Sequence, residues 1–274
     1  MKDSYTSFFS QHDMHLVNKQ QTVTSLGQLS KAWYADGSAR YLVKGNQKFS
    51  RGYGWEPYSE VIASQVADAL MLPHVSYALV PSDHFPEVRT YNLNMVSVCQ
   101  VCNIPPASQK LSALNYMEAY FERHIDTNFW NLFMQLPIDK KPTFDMFVFD
   151  AVIGNIDRHL NNWEYILYPS GEVELMPFFD CGESLLAYKQ RLPHLAEAQI
   201  GPDVSKPFKD THTLQLGLIK KYYPNYHFSR DPVSCWEDIN SRIAPILNLL
   251  PKERASTVQS YLHTRCIFFL QMMR

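Results

Sequence analysis

A polar ten-residue segment, GNIDRHLNNW at residues 154–163, constrains the fold of this chain more than any other sequence feature. It carries one carboxylate, two basic side chains and three amides, and it separates two apolar segments, FDMFVFDAVI and EYILY, that are typical of buried elements. Asp157 and Asn162 lie five positions apart within it. The spacing predicts one tight loop, held between core elements, that presents a carboxylate and an amide to the same ligand.

The sequence that follows this loop strengthens the prediction. EYILY and EVELMPF read as two short strands around the turn PSG, and they lead directly to FDCG, which contains Asp180. D-x-x-x-x-N, a strand pair and D-x-G occur in this order at the metal site of protein kinases. We therefore expect Asp157 to accept the proton of an acceptor hydroxyl, and Asn162 and Asp180 to bind Mg²⁺. Gly182 is expected to allow a sharp turn after Asp180.

Upstream residues supply the other parts that phosphoryl transfer from ATP requires. Lys44 closes the apolar strand YLV, as the phosphate-binding lysine of kinases does, and Glu60 is expected to open the next helix and to pair with it. The segment TSLGQLSK has one glycine and several hydroxyls but lacks both glycine-rich nucleotide motifs. It is the candidate phosphate loop, in which Ser25, Gly27 and Lys31 would contact ATP.

Two basic side chains remain in GNIDRHLNNW, residues 154–163, which is the candidate catalytic loop. We group His159 with the catalytic residues as a support, since it can donate a structural hydrogen bond or position Asp157. Arg158 has no single interpretation from sequence: it contacts phosphate, contacts substrate or is simply exposed.

The coarse organisation is α+β with two lobes. KAWYADGSARYLVKG predicts a β-hairpin, YSEVIASQVADALML a helix, and VSYALV and NMVSVCQV two further strands. CNIPPASQKLS then reads as a connector, beyond which the chain becomes mostly helical. We expect a small strand-rich N-terminal lobe over residues 1–103 and a larger helical C-terminal lobe over residues 104–274.

Composition excludes several function classes. The net charge is -2, so no global basic field favours direct nucleic-acid binding, and no apolar run is long enough to span a bilayer. The five scattered cysteines do not suggest a disulfide framework. Cys99 and Cys102 form a lone C-x-x-C without a second ligand pair, which favours two small apolar residues on a strand over a zinc site.

These motifs together resemble the HipA-like kinase family, whose loop has the form G-N-x-D-x-H-x-x-N. GNIDRHLNNW and FFDCGES carry the specific part of the resemblance, and SLGQLSKAWYADGSARYLVKG and EPYSEVIASQVADALMLPHVSYALV resemble the family's phosphate loop, lysine strand and glutamate helix. The resemblance covers roughly residues 24–185. It implies a bilobed, protein-kinase-like fold that uses ATP and Mg²⁺ and phosphorylates serine or threonine of a protein substrate.

The resemblance also implies regulation. Family members tend to phosphorylate a serine of their own phosphate loop, which nominates Ser25 or Ser30, and many belong to bacterial toxin–antitoxin systems. Only residues 1–23 precede the phosphate loop here, so we expect a shorter, stand-alone member and leave an antitoxin partner open. The N-terminus lacks the apolar core of a signal peptide, so we expect a bacterial cytoplasmic protein, with delivery by a specialised secretion system left open.

Three alternatives share parts of the pattern. Phosphoinositide kinases use D-R-H-x-x-N, although a lipid kinase favours a basic membrane-facing surface that the net charge does not suggest. Small-molecule kinases of the aminoglycoside type usually have H-G-D at the loop, where this chain has NID. A catalytically silent nucleotide-binding module would keep the fold, but every expected polar group is present.

Overall fold

The computed structural model describes residues 14–17, 29–50, 52–125, 129–189 and 203–274. The strands in these ranges are β1 His15–Leu16, β2 Lys31–Asp36, β3 Ala39–Lys44, β4 Lys48–Phe49, β5 Gly52–Tyr53, β6 Tyr77–Pro81, β7 Met95–Gln100, β8 Gln109–Ser112, β9 Glu164–Leu167, β10 Val173–Leu175, β11 Val204–Ser205 and β12 Asp210–Thr211. The helices are α1 Glu56–Leu70, α2 Ala113–Phe121, α3 Phe129–Gln135, α4 Lys141–Ile153, α5 His212–Tyr222, α6 Pro232–Leu247 and α7 Lys252–Met272, with a 3-10 turn at Ser82–His84.

The N-terminal part is a five-stranded antiparallel sheet in the order β1-β2-β3-β7-β6. The predicted hairpin is confirmed as β2 and β3, and its register places Lys31 opposite Lys44. Small and aromatic side chains of these strands form an apolar cluster of their own, which includes Tyr34, Val43, Val96 and Val98. The sheet therefore holds the lysine strand β3 between two paired neighbours, β2 and β7.

Helix α1 corrects one expectation. Pro57 lies in its first turn, and the helix begins at Glu56, so Glu60 lies in the second turn and does not open the helix. Tertiary contacts rather than the helix dipole therefore decide what Glu60 does. Apolar residues of α1, among them Ile62 and Val66, belong to the same buried core as the C-terminal helices. Because α1 packs on α6, the glutamate helix is fixed to the helical part of the molecule.

The predicted connector at residues 102–112 is partly a strand. Its last four residues form β8, which pairs with β9 and completes a three-stranded sheet in the order β10-β9-β8. The connector begins with turn-forming residues, so the sequence did not predict the strand at its end. The strand pair before Asp180 is confirmed as β9 and β10, although β10 is shorter than EVELMPF suggests. The lobe boundary near residue 103 stays a prediction.

The remainder of the described chain is mainly helical, and α4 is its centre. Helix α4 packs on α5 and α7, and α6 packs on α7. From Thr143 to Ile153 every residue of α4 is buried, so its apolar run reflects burial on all sides rather than one amphipathic face. Within the described ranges, no helix is both long enough and apolar enough to cross a membrane.

Candidate active site

The catalytic loop begins where α4 ends. Gly154 closes the helix in the left-handed conformation, with φ +66°, and a Cβ there would collide with the hydroxyl of Tyr261. A side chain at this position is therefore excluded twice, by conformation and by space. The next residue, Asn155, donates to Asp150 Oδ1 at 2.9 Å, and its own side-chain oxygen accepts the backbone N–H of Asp157 at 3.2 Å. The start of the loop is thus held to the helix that precedes it.

Asp157 and Asn162 meet as the spacing predicts. Asn162 Nδ2 donates to the backbone oxygen of Asp157 at 2.9 Å and lies 3.5 Å from its Oδ2. The amide nitrogen is thereby occupied by the loop, which leaves Asn162 Oδ1 as the atom that can bind a metal ion. The 21% exposed side chain of Asp157 remains accessible to an incoming hydroxyl.

Arg158 is fully buried, which resolves the three interpretations that its sequence position left open. Its Nη1 donates to the backbone oxygens of Asn162 at 2.7 Å and Phe179 at 2.6 Å. Its Nε and Nη2 form an ion pair with Asp150. One guanidinium group therefore joins the catalytic loop to the D-x-G segment. Arg158 is neither exposed nor placed to contact substrate.

Asp180 adopts a backbone conformation that is rare for residues other than glycine, with φ +57°. The turn at D-x-G is thus made by Asp180, whereas the sequence assigned it to Gly182. The role of Gly182 is close packing, because a Cβ there would lie 3.2 Å from Glu56 Cβ and 3.5 Å from Glu60 Oε1. Glu60 Oε2 also accepts the backbone N–H of Cys181 at 2.8 Å. The glutamate helix therefore fixes the D-x-G segment directly.

Lys44 connects these parts. Its Nζ lies 2.7 Å from Glu60 Oε1 and 2.7 Å from Asp180 Oδ1, so the expected ion pair with Glu60 is confirmed and a second carboxylate joins it. Burial lowers the pKa of Lys44, but the carboxylates of Asp180 and Glu60 outweigh it and raise the pKa well above its ordinary value. Partial burial raises the pKa of Asp180, and Lys44 more than offsets this, so Asp180 stays ionised.

The candidate phosphate loop is only partly described. Ser25 and Gly27 lie outside the described residues. Lys31 begins β2 beside Lys44, and its pKa is lowered first by burial and then by the Lys44 charge. Ser30 is fixed in the structure, since its Oγ accepts the backbone N–H of Arg89 at 2.8 Å and its carbonyl accepts that of Gly45 at 2.8 Å.

The ring of His159 does not hydrogen-bond to Asp157. Its Nε2 lies 3.7 Å from Asp157 Oδ2, and its Nδ1 accepts the backbone N–H of Asn161 at 3.2 Å. Burial is the main cause that lowers the pKa of His159. A neutral ring that accepts from the loop backbone agrees with the structural support that the sequence suggested.

The donor set suits Mg²⁺. Magnesium is commonly held by one or two carboxylates together with phosphate oxygens and water, rather than by a cage of protein ligands. Asp180 keeps Oδ2 available while Lys44 occupies Oδ1, and its side chain is 36% exposed. Asn162 Oδ1 would be the second protein ligand. Across the described ranges, no group of three or more His, Cys, Asp and Glu side chains is placed to hold a metal ion.

Sequence reasoning missed two contributors to the site. Asp150 is one of two aspartates in the apolar run FDMFVFDAVI, and an acidic residue in such a run could have indicated a buried ion pair. Lys206 lies 49 residues beyond Asp157, yet its Nζ is 2.5 Å from Asp157 Oδ1. No local pattern in the sequence predicts that contact.

Comparisons with known proteins identify similar sequences and similar folds. The chain is 46% identical over 43 residues to the serine/threonine-protein kinase CtkA of Helicobacter pylori, a match that spans 15% of this chain and 13% of that relative. The crystal structure of the proinflammatory kinase CtkA from Helicobacter pylori matches over 96% of both chains, with a TM-score of 0.63 and 18% identity. HipA of Shewanella oneidensis MR-1, solved with HipB and operator DNA, matches 99% of this chain and 70% of its own, with a TM-score of 0.51 and 15% identity.

These structural matches show a bilobed, kinase-like α+β fold, as the sequence predicted. The sequence model of the HipA-like C-terminal domain family matches residues 16–242, which confirms the resemblance carried by the catalytic-loop motif. Since that match spans more than half of the chain, the protein belongs to the HipA-like C-terminal domain family.

Proposed function

We propose that this protein is an ATP- and Mg²⁺-dependent serine/threonine protein kinase. The observation that carries the proposal is the position of Lys44, whose Nζ lies 2.7 Å from carboxylates of both Glu60 and Asp180. A strand lysine that pairs with a helix glutamate, beside a D-x-G aspartate that can bind Mg²⁺, is the arrangement that protein kinases use to bind ATP. The fold and the family membership support the same class of reaction.

In this proposal each polar group has one task. Lys44 binds ATP phosphates and Glu60 orients it, while Lys31 adds positive charge at the edge of the same site. Asn162 and Asp180 would hold Mg²⁺, which neutralises phosphate charge when bound. Asp157 orients the acceptor hydroxyl and takes its proton. Arg158 keeps the two loops at a fixed distance through backbone contacts, so the carboxylates do not have to be positioned by the substrate.

A protein acceptor is favoured over a phosphoinositide. Asp157-Arg158-His159 fits both the D-x-H of the HipA-like loop and the D-R-H of phosphoinositide kinases, but here Arg158 is fully buried and makes its hydrogen bonds inside the protein. It is therefore not available to contact a phosphorylated headgroup.

Regulation and biological role follow from family membership within the same proposal. Phosphorylation of Ser30 would place a dianion next to the N-terminal end of β2, where Lys31 lies, and would break the contact of its Oγ with Arg89. Ser25 is the second candidate acceptor. We propose that the protein acts as a toxin-like regulator in the bacterial cytoplasm. An antitoxin-type protein is the partner class to test, because the HipA relative was solved with HipB.

A direct test compares the wild type with Asp157→Asn, and Asp83→Asn serves as the control because the Asp83 side chain is 82% exposed and lies outside the site. Purified chains receive labelled ATP and Mg²⁺ with either lysate protein or phosphoinositide vesicles. We expect labelled protein with the wild type and the control, and a loss of roughly 10²-fold or more with Asp157→Asn at an unchanged melting temperature.

Outcomes discriminate between the alternatives. Labelled lipid without labelled protein would establish the lipid-kinase alternative. An ATP-dependent thermal shift without any transfer would establish a silent nucleotide-binding module. Intact mass after incubation with ATP tests self-phosphorylation, and an unchanged mass would remove Ser25 and Ser30 as acceptors.

A further inference from the structure

A lysine from outside the predicted motifs contacts the catalytic aspartate. The Nζ of Lys206 lies 2.5 Å from Asp157 Oδ1. The backbone of Lys206 is anchored as well, since its N–H donates to the carbonyl of Ile156 at 3.1 Å and the segment forms a parallel bridge with Asp157. The contact therefore depends on backbone placement as well as on a flexible side chain.

The hairpin that carries Lys206, formed by β11 and β12, is itself fixed. Gln215 Nε2 donates to the carbonyl of Ser205 at 3.1 Å, to its Oγ at 2.5 Å and to the carbonyl of Asp210 at 2.9 Å. The ring of His212, at the start of α5, hydrogen-bonds to the carbonyl of Asn155 at 2.9 Å. These contacts hold the hairpin against the catalytic loop on both sides of Lys206.

Stability does not explain this ion pair. The side chain of Lys206 is 53% exposed and that of Asp157 is 21% exposed. Ion pairs in such solvent-accessible positions contribute little to folding, because water screens the charges and the lysine loses rotamer freedom. A lysine that is anchored beside a catalytic carboxylate, and gains little stability there, is better explained by the reaction.

The other cations around Asp157 are committed elsewhere. Arg158 is buried and bonded to Asp150 and to two backbone carbonyls. Lys44 lies between Glu60 and Asp180, on the nucleotide side. The ring of His159 has a pKa lowered mainly by burial. In the part of the chain that the structure describes, Lys206 thus supplies the ammonium group that contacts Asp157.

We propose that Lys206 is a further catalytic residue of phosphoryl transfer, an inference that rests on the proposed kinase function. Its ammonium has three N–H donors, so it can keep one on Asp157 while it donates another to an oxygen of the γ-phosphoryl group. In the step, the acceptor oxygen forms a bond to the γ-phosphorus while the bond to the β–γ bridging oxygen of ATP breaks. The hydroxyl proton passes to Asp157, and ADP leaves with the bond electrons. Lys206 stays protonated and stabilises the charge on the transferring group.

The experiment uses the full chain, labelled ATP with Mg²⁺, and lysate protein as acceptor. Lys206→Met removes the charge and Lys206→Arg keeps it. Lys110→Met is the matched control. Lys110 is a 42% exposed lysine that lies outside the site, and its Nζ is 3.0 Å from Glu164 Oε2. We expect Lys206→Met to lower the apparent kcat by roughly 100-fold with KM for ATP changed by less than about threefold. Lys206→Arg should recover most of the rate, and Lys110→Met should behave as the wild type.

Three results would overturn the inference: a wild-type rate in Lys206→Met, a rise in KM for ATP with kcat unchanged, or a rate above that of the wild type. The last would mean that Lys206 blocks Asp157 in the resting enzyme. Melting temperatures of all variants are compared, and Lys206→Gln serves as a second neutral variant if the methionine lowers solubility. Absence of transfer by the wild type itself would instead refute the kinase function, and this inference with it.

Discussion

Arg158 and Asp150 form a buried two-point ion pair, in which Nε lies 2.8 Å from Oδ2 and Nη2 lies 3.0 Å from Oδ1. Arg158 is 0% exposed and Asp150 is 3% exposed. The remaining guanidinium nitrogen reaches the backbone carbonyls of Asn162 and Phe179. The last turn of α4 is thereby bonded to both segments that carry the candidate catalytic groups, so the pair sets the geometry of the site as well as its stability.

Arg158→Met is expected to destabilise the protein by about 3–5 kcal/mol, because it leaves the carboxylate of Asp150 buried without a cation. Urea denaturation at pH 7 measures this change. Arg242→Met is the control, since Arg242 makes a 2.8 Å ion pair with Asp238 in which both side chains are accessible. That variant should cost less than about 1 kcal/mol. Equal losses of unfolding free energy in the two variants would show that the buried Arg158 ion pair contributes no more to stability than an exposed one.

Lys44 and Glu60 are expected to be strongly coupled. Lys44→Met leaves two carboxylates without their shared cation, and Glu60 is only 1% exposed, so the single variant should be less stable than Lys44→Met combined with Glu60→Gln. A double-mutant cycle by urea denaturation should give a coupling of roughly 1–3 kcal/mol. The corresponding cycle on Lys110 and Glu164, a more exposed pair, should give a value near zero. All variants that lack Lys44 should lose phosphoryl transfer.

The sequence predicted the parts of the site that depend on local order. The hairpin, the strand pair before Asp180 and the D-x-x-x-x-N loop follow from turn residues and spacing within short segments, and Asn162 meets Asp157 as expected. These features need no knowledge of distant contacts. The assigned catalytic and ATP-binding roles stay predictions until activity is measured.

Contacts between distant segments could not be predicted in the same way. Arg158 was left without a single role because its burial depends on Asp150 and on the D-x-G segment, 21 residues beyond it. Glu60 was placed at a helix start, although its position in the second turn faces Lys44 and Cys181. Lys206 had no sequence signal, since only the folded hairpin of β11 and β12 brings it to Asp157. Tertiary placement, not residue type, decides each of these cases.

Glu56 is expected to reduce stability above neutral pH. Burial raises its pKa from 4.5 to about 7. The unfolded chain releases this proton near pH 4.5 and the folded chain near pH 7, so stability falls as pH rises through that window. Glu56→Gln should therefore raise the free energy of unfolding at pH 8 by about 3 kcal/mol, with little effect at pH 4.5. Glu237→Gln, at an exposed position, is the control and should change neither value. A stability gain that is the same at both pH values would contradict the titration of Glu56.

His212 should have the opposite pH dependence. Burial is the main cause that lowers its pKa from 6.5 to about 3, and the adjacent Arg265 adds to the effect. The neutral ring donates from Nε2 to the carbonyl of Asn155 and accepts at Nδ1 from Arg265. Below pH 6.5 the unfolded chain binds a proton that the folded chain does not, so the contribution of His212 to the free energy of unfolding should fall by about 2 kcal/mol between pH 7.5 and pH 5, opposite in sign to that of Glu56.

The test of this titration follows urea denaturation at pH 7.5 and pH 5. His212→Gln keeps a donor for Asn155 but cannot titrate, so it should be less stable than the wild type at pH 7.5, and this difference should shrink by about 2 kcal/mol at pH 5. His227→Gln, at an exposed histidine, should keep the pH dependence of the wild type. Because Asn155 starts the catalytic loop, acidification should also loosen that loop in the wild type before global unfolding. Hydrogen exchange at residues 155–162 measures this. Unchanged protection at pH 5 would show that protonation of His212 does not affect the catalytic loop.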